Sequence, residues 1–419
     1  MTIHGATNSR RLSPHPQRLT PNEEAILDSV RLPLLKRLLT AIWRVKLRLQ
    51  FTGWLQYLPA ALLALALLLI AAVFHILGVA VVGNAFLGLG SLLLLVDLFD
   101  VVTVKFRLRF REALPKRNDD LETFDLLRAR RSCRSFQTRK LTPADLDELM
   151  AFVNLQSKAP TIGDSPVRLE YVSAPLTVWP TVNATEFLVA IAPKKYNRLT
   201  VIDVGRNLQK VVIKATRMGL GTCWIGPGAD QASVARHLGD RFNPDDDHII
   251  CVCAIGYKSN YLPMFLRIFN MQFQRRLPFS SLFFADPSFE EPLNVDAPPF
   301  RQFGRTFEVC QWSPSSYNGQ TTRCVAVTDH LRPDVSNGLG DEVRLVRFDF
   351  YASTASRYYA AVAVGIWCAD WEMGCDALGI HGHFAVLTPE QRGLAESSPD
   401  TKLPRYDLSW LPEDNLATT

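Results

Sequence analysis

The chain has 419 residues, 47% hydrophobic and 21% charged, enough to bury a sizeable core and too many for one small domain. Its net charge of +5 is uneven, with 15 Lys and Arg against 6 Asp and Glu in residues 1–117 and 31 against 35 in the remainder. Basic charge gathered beside an apolar segment argues for a membrane surface as partner and against nucleic acid.

Residues 1–19 are polar with no apolar period, which predicts a disordered tail. The apolar run begins too late for a secretory signal. Residues 20–54 read as a basic amphipathic helix opening at Thr20-Pro21-Asn22-Glu23. Leu32, Leu35, Leu39 and Trp43 are interleaved with Arg37, Arg44 and Lys46. Residues 55–103 hold an almost unbroken apolar run, Leu58 to Val96, which suits two transmembrane helices and a tight turn near His75 or at Gly83-Asn84. Both flanks are basic, Arg44, Lys46 and Arg48 before and Lys105, Arg107, Arg109 and Arg111 after. The positive-inside rule then places both ends, and the rest of the chain, on the cytoplasmic side of a multi-pass membrane protein.

Residues 118–260 read as a first α+β unit. It opens with Arg128-Ala-Arg130-Arg131-Ser132-Cys133-Arg134, four arginines and a serine that can hold a dianion through bidentate, charge-assisted hydrogen bonds. The other use of such a cluster is a solvated basic turn. Thr142-Pro143 caps a helix over 143–156. A turn-rich loop, 159–166, leads to strands at Leu169–Val172 and Phe187–Ala192. A long helix, Ile202–Met218, is closed by Gly219 and Gly221, and Thr222–Gly228 reads as a backbone-exposing loop. Ile249–Tyr257 reads as a buried strand, and 261–300 as a linker containing Arg275-Arg276.

Residues 301–419 repeat that order. A short helix (Phe303–Cys310) leads to Ser313-Pro-Ser-Ser-Tyr-Asn-Gly-Gln320, then strands near Thr322–Val327. A long helix, Ser353–Met373, stops at Gly374, and a glycine loop spans Gly379–His383. Arg405–Trp410 reads as a final strand. The repeat suggests a fused dimer. The eight cysteines form no C-x-x-C or zinc spacing, so they are expected as reduced thiols. His381 and His383 lack partners at metal-ligand spacing, and no metal site is expected.

In this order the motifs resemble the FMN-dependent nitroreductase family in a single-chain tandem form. Arg130-Arg131-Ser132-Cys133-Arg134 is similar to its R-R-S-x-R motif, and Ser313–Gln320 to its S-P-S-S-x-N-x-Q loop. The resemblance covers about 125–419. It implies an α+β, nitroreductase-like fold of two tandem halves forming an intramolecular pseudo-dimer, with the chain expected as a monomer. It implies FMN as cofactor and NADH or NADPH as electron donor. Electrons would pass in ping-pong order to a small acceptor such as a nitro compound or quinone, with no catalytic acid or base from the chain. Arg130, Arg131, Ser132 and Arg134, with Arg275 and Arg276, would hold the phosphate and ribityl chain. Pro314, Ser315, Ser316 and Asn318 would line the pyrimidine edge of the ring, and Ile225 and Gly226 would offer backbone N–H groups.

The first half carries the arginine motif but a degraded loop, with Thr161, Ile162 and Asp164 where Ser, Ser and Asn would stand. The second half carries the intact loop and no such arginine motif. Two intact pieces make one complete site per chain. Other flavin chemistry on the same scaffold, or a non-enzymatic membrane-anchored flavin-binding module, are the competing readings.

Overall fold

The computed structural model describes residues 27, 29–30, 32–176, 178–226, 229–272, 274–329, 344–393 and 403–413. The expected tail at 1–19 and the helix start at Thr20–Glu23 lie outside them, as do Pro227 and Gly228.

Helix α1 (Pro33–Thr52) begins on a proline and ends at Gly53, whose φ of 74° only glycine adopts without strain. Leu34, Leu38, Ile42 and Val45 form an exposed stripe along it. Helices α2 (Leu58–Ile76) and α3 (Ala80–Asp100) follow as an antiparallel pair, and α3 runs on through a π-turn to Lys105. By length and composition both are able to cross a membrane.

The turn between them falls at 77–79, beside His75, where Gly78 has φ 75°. Gly83-Asn84 is therefore not the turn. Glycines there serve packing: a Cβ on Gly83 would lie 3.2 Å from the Ala71 carbonyl, and one on Gly90 3.2 Å from that of Ala64. Small residues facing small residues let two apolar helices close without a polar contact.

The first α+β unit holds α4 (Thr123–Ala129), α5 (Pro143–Ser157), β1 (Arg168–Ser173), β2 (Glu186–Pro193), α6 (Arg198–Arg217), β3 (Leu220–Ile225), α7 (Gln231–Leu238) and β4 (Asp247–Tyr257). Its sheet has the order β1-β2-β4-β3, antiparallel throughout. Helix α6 starts four residues before the expected Ile202, because Asn197 accepts the Leu199 and Thr200 N–H groups at 2.9 and 3.3 Å.

The sequence reading of Thr222–Ile225 as loop is corrected: it is strand, paired with β4 from Leu220↔Tyr257 to Ile225↔Val252. Thr, Cys, Trp and Ile are strand formers. Gly221 sits among them because a Cβ there would meet Cys133 Sγ at 2.6 Å, so it serves close packing, not a turn.

The segment 261–300 is not a plain linker. It contains α8 (Met264–Gln272) and the two-residue strand β5 (Phe283–Phe284). The second unit adds α9 (Gly304–Gln311), β6 (Thr322–Thr328), β7 (Leu345–Ala352), α10 (Tyr359–Ala377), β8 (Gly382–Ala385) and β9 (Arg405–Pro412), with sheet order β5-β6-β7-β9-β8.

Three expectations change here. Helix α10 starts at Tyr359, whose N–H is taken by the Ser356 hydroxyl at 3.2 Å, and not at Ser353. Gly374 lies inside it, since a Cβ there would meet Thr306 Oγ1 of α9 at 2.9 Å, and the chain turns at Gly379 with φ 71°. Gly382 and His383, expected in a glycine loop, belong to β8 and pair with β9.

The two units share one apolar core, in which Ile202, Leu208 and Val212 of α6 join Val364, Trp367 and Trp371 of α10. The two helices touch backbone to backbone. A Cβ on Gly205 would lie 2.3 Å from the Val362 carbonyl, and one on Gly365 1.9 Å from that of Ile202. Arg206 of α6 holds Glu372 of α10 with two hydrogen bonds of 2.9 and 2.8 Å.

Candidate functional site

The arginine motif follows α4 as an extended segment clamped on three sides. The Cys133 N–H donates to the Thr222 carbonyl of β3 at 2.7 Å, the Val182 N–H to the Arg134 carbonyl at 2.9 Å, and the Ser259 N–H to the Ser135 carbonyl at 3.0 Å. Extended backbone sends alternate side chains to opposite faces. Arg130 is buried, at 5% exposure, while Arg131 and Ser132 lie at the surface.

Trp312, the residue before the serine loop, meets this motif. The guanidinium carbons of Arg128, Arg131 and Arg276 each lie 5.1 Å from its ring, a cation–π cluster joining the first unit, the connecting segment and the second unit. Arg276 Nη1 donates to the Ser313 carbonyl at 3.1 Å and to Asn318 Oδ1 at 2.9 Å. The intact arginine motif and the intact serine loop are thereby brought together.

The loop wraps around the Arg275-Arg276 backbone. Asn318 Nδ2 donates to the Arg275 carbonyl at 2.8 Å, and the Leu277 N–H donates to Gln320 Oε1 at 2.8 Å. Ser315 Oγ accepts the Gln320 N–H at 2.8 Å. Tyr317, Asn318 and Gln320 all have positive φ, at 51°, 54° and 45°. Asn tolerates that region, but Tyr and Gln in it store strain, which concentrates at functional sites.

Beneath the cluster lies Asp370 of α10, 3% exposed. It accepts hydrogen bonds from Ser313 Oγ at 2.5 Å and from Gln209 Nε2 of α6 at 3.0 Å. Burial pushes its carboxyl up to about 6, against the pull of those bonds and of Arg130 and Arg276. Burial, with Arg130 and Arg131 nearby, brings the Arg276 guanidinium down to about 10. Arg130 is shifted down as well, chiefly by burial.

The other expected residues fall around this centre. Ile225 is buried at the end of β3, and Gly226 follows under the first residue of α10, where a Cβ would meet Tyr359 Cε1 at 2.8 Å. Pro314, Ser315 and Ser316 are half-buried in the loop. Arg275 offers its carbonyl while its side chain stays exposed. Arg134 turns away from Trp312, and its Nε bonds Asn270 Oδ1 of α8. Among the described residues no cluster of His, Cys, Asp or Glu suits a metal ion. Sequence reasoning missed Trp312, Gln209, Tyr359 and Asp370. Only Asp370 carried a signal, as an acid in the otherwise apolar stretch Ala360–Trp371.

A family model described as "Putative TM nitroreductase" matches residues 122–332, just over half of the chain. The chain belongs to this nitroreductase family. The match begins at α4 and takes in the arginine motif, the connecting segment and the serine loop. The fold is the nitroreductase-like α+β fold. A nitroreductase from Thermotoga maritima aligns at 14% identity with a TM-score of 0.39, over 73% of this chain and 97% of its own. A nitroreductase family protein from Clostridium difficile aligns at 21% identity and 0.30, over 38% and 95%. A Bacteroides fragilis nitroreductase with bound FMN aligns at 16% and 0.27, over 33% and 89%. Membership rests on the family model, since these superpositions are too loose to bear weight. No curated protein matched the chain.

Proposed function

We propose that the chain is a membrane-anchored flavin oxidoreductase, holding one FMN between its two halves and passing electrons from NADH or NADPH to a small acceptor. One observation carries this reading. Arg130, Arg131 and Arg276 converge, with Asp370 the carboxylate beside Arg130 and Arg276. Buried guanidiniums without matching acids are costly, so such a cluster is built to receive an anion. A phosphate monoester supplies two charges and several acceptor oxygens. A donor is left over for it: Arg276 Nε is buried without an acceptor, and the buried Arg130 lies close to it. The residues present therefore fit a phosphate-bearing cofactor.

In this reading Arg130, Arg131, Arg276 and Ser132 hold the phosphate and ribityl chain, and Arg134, bonded to Asn270 of α8, borders them. Pro314, Ser315, Ser316 and Asn318 line the pyrimidine edge, and the backbone at Ile225 and Gly226 lies across from them. Bound FMN supplies the hydride and electron chemistry. The chain's own part is to orient the ring, exclude water and set a positive field beside the reduced cofactor. The two halves act as a fused dimer with a single working site, and the chain is otherwise monomeric. The hairpin α2–α3 anchors it with the site on the cytoplasmic side.

The test is the absorbance spectrum of the purified full chain, with the released cofactor identified by mass. About one FMN per chain, lost on replacing Arg130 and Arg276 together by Ala, is the expected result, with bound flavin reduced by NADH or NADPH faster than free FMN. A colourless chain that FMN does not reconstitute overturns the flavin reading. A flavin that neither nicotinamide reduces leaves a binding module, not an oxidoreductase.

A further inference from the structure

The base of the hairpin is fastened to the same segments that clamp the arginine motif. The Met264 N–H, at the start of α8, donates to Asp100 Oδ2 at the end of α3 at 2.7 Å. Leu266 is fully buried with Val104 and Val182. The Tyr261 ring lies 6.4 Å from that of Phe99. Helix α8 is thus held at the level where the apolar helices end.

Its outer face does not match a cytoplasmic surface. Ile268 and Met271 are 50% and 66% exposed, and beside the hairpin exit Phe106, Leu108 and Phe110 are 59%, 69% and 88% exposed. These apolar side chains are interleaved with exposed Arg107, Arg111 and Arg267. The neighbouring acid, Glu112, is turned inward, where it accepts the Ser259 hydroxyl at 2.9 Å and the Asn260 N–H at 2.6 Å.

We propose that α8 and residues 106–111 form an interfacial surface that lies in the headgroup layer of an anionic bilayer. Large apolar side chains beside arginines, with acids withdrawn, are the composition of an interfacial helix. Each such arginine adds electrostatic attraction to anionic lipid. The surface continues directly from the hairpin, which fixes the occupant as lipid. The proposal rests on the reading that α2 and α3 span the membrane.

The consequence reaches the site. Arg134 bonds Asn270 of α8, and Ser135 Oγ donates to the Tyr261 carbonyl at 2.5 Å. A helix seated among headgroups therefore carries one wall of the arginine cluster with it. The acceptor class this favours is an amphiphile or a lipid-dissolved molecule that approaches along the bilayer.

The experiment uses the full chain in phosphatidylcholine vesicles with and without phosphatidylglycerol. Met271→Cys, Leu69→Cys and Leu155→Cys variants carry a fluorophore, and lipids carry a nitroxide at the headgroup or at mid-chain. The unsubstituted chain, whose cysteines are buried or half-buried, gives the labelling background. The expected result is that position 69 is quenched from mid-chain, 271 from the headgroup, and 155 from neither. Quenching at 271 should be stronger with phosphatidylglycerol, and the R267E/R111E pair should remove that increment. Quenching at 69 without quenching at 271 overturns the proposal and leaves the spanning hairpin standing. No quenching at 69 overturns the hairpin reading and the proposal with it. Equal quenching at 271 in both lipids overturns the anionic-headgroup assignment.

Discussion

The two loops that follow α5 and α9 occupy corresponding places in the two halves and have gone different ways. In the first half, Ile162 and Gly163 donate their N–H groups to Asp203 of their own long helix at 2.9 and 2.8 Å, and Thr161 Oγ1 closes on the Gly163 carbonyl. In the second half, the loop is held from outside, by Arg276 of the connecting segment and by Ser313 on Asp370. One loop is tied down within its own half. The other is strained, with positive φ at Tyr317, Asn318 and Gln320, and faces surplus guanidiniums. In the proposed tandem reading, the scaffold is kept in both halves and the anion-binding chemistry in one.

The largest effect should come from attacking what both loops share. Gly365→Ala forces a Cβ to within 1.9 Å of the Ile202 carbonyl, where neither backbone can give way. Overpacking of this kind costs about 3 kcal/mol or more, which in a chain of this size lowers the unfolding temperature by roughly 4 °C. Thermal unfolding of the full chain measures it. An unfolding temperature within a degree or two of the parent would mean the helix crossing is not the framework of the molecule.

A smaller effect separates the loops. Asn318→Ala removes the acceptor of an Arg276 hydrogen bond, a charge-assisted contact of about 1.5–3 kcal/mol. FMN affinity should fall ten- to a hundredfold. Asp164→Ala, at the corresponding place in the first half and exposed, should leave it unchanged. Titration of the flavin-free chain with FMN reads both, and equal losses would show that the two loops work alike.

What the sequence disclosed of this comparison was its chemistry, not its wiring. Arg130, Arg131 and the Ser313–Gln320 loop were legible because short runs of unusual composition carry their meaning locally. So were the helix starts at Thr142 and the strands Phe187–Ala192 and Ile249–Tyr257, set by capping and by apolar runs. Glycines misled: Gly221, Gly374 and Gly83 read as punctuation, yet each is small because another element packs against it. A glycine that admits a neighbour and a glycine that turns the chain look the same until the neighbour is known. Trp312 and Gln209 were invisible for the same reason, since their roles depend on partners from another segment.

The finest contrast lies between the two buried aspartates, Asp370 under the loop that follows α9 and Asp203 under the loop that follows α5. Burial raises both above the ordinary 3.8, and Asp370 reaches about 6. A raised carboxyl means the folded chain binds the proton more tightly than the unfolded chain. The stabilisation is therefore full below pH 4 and is lost as the pH rises through 6. Asp370→Asn removes that dependence. The unfolding temperature of the parent relative to this variant should fall between pH 4 and 6 and stay level above 7. Asp203 gives up less, because two backbone N–H groups hold its charged form. Its Asn variant should therefore show a shallower slope in the same window. Parallel slopes for the two variants would mean that Asp370 is raised no further than Asp203. A slope for Asp370→Asn that flattens when inorganic phosphate is added would tie the carboxylate to the anion site, because an anion shared with the guanidiniums alters the field that the carboxyl feels.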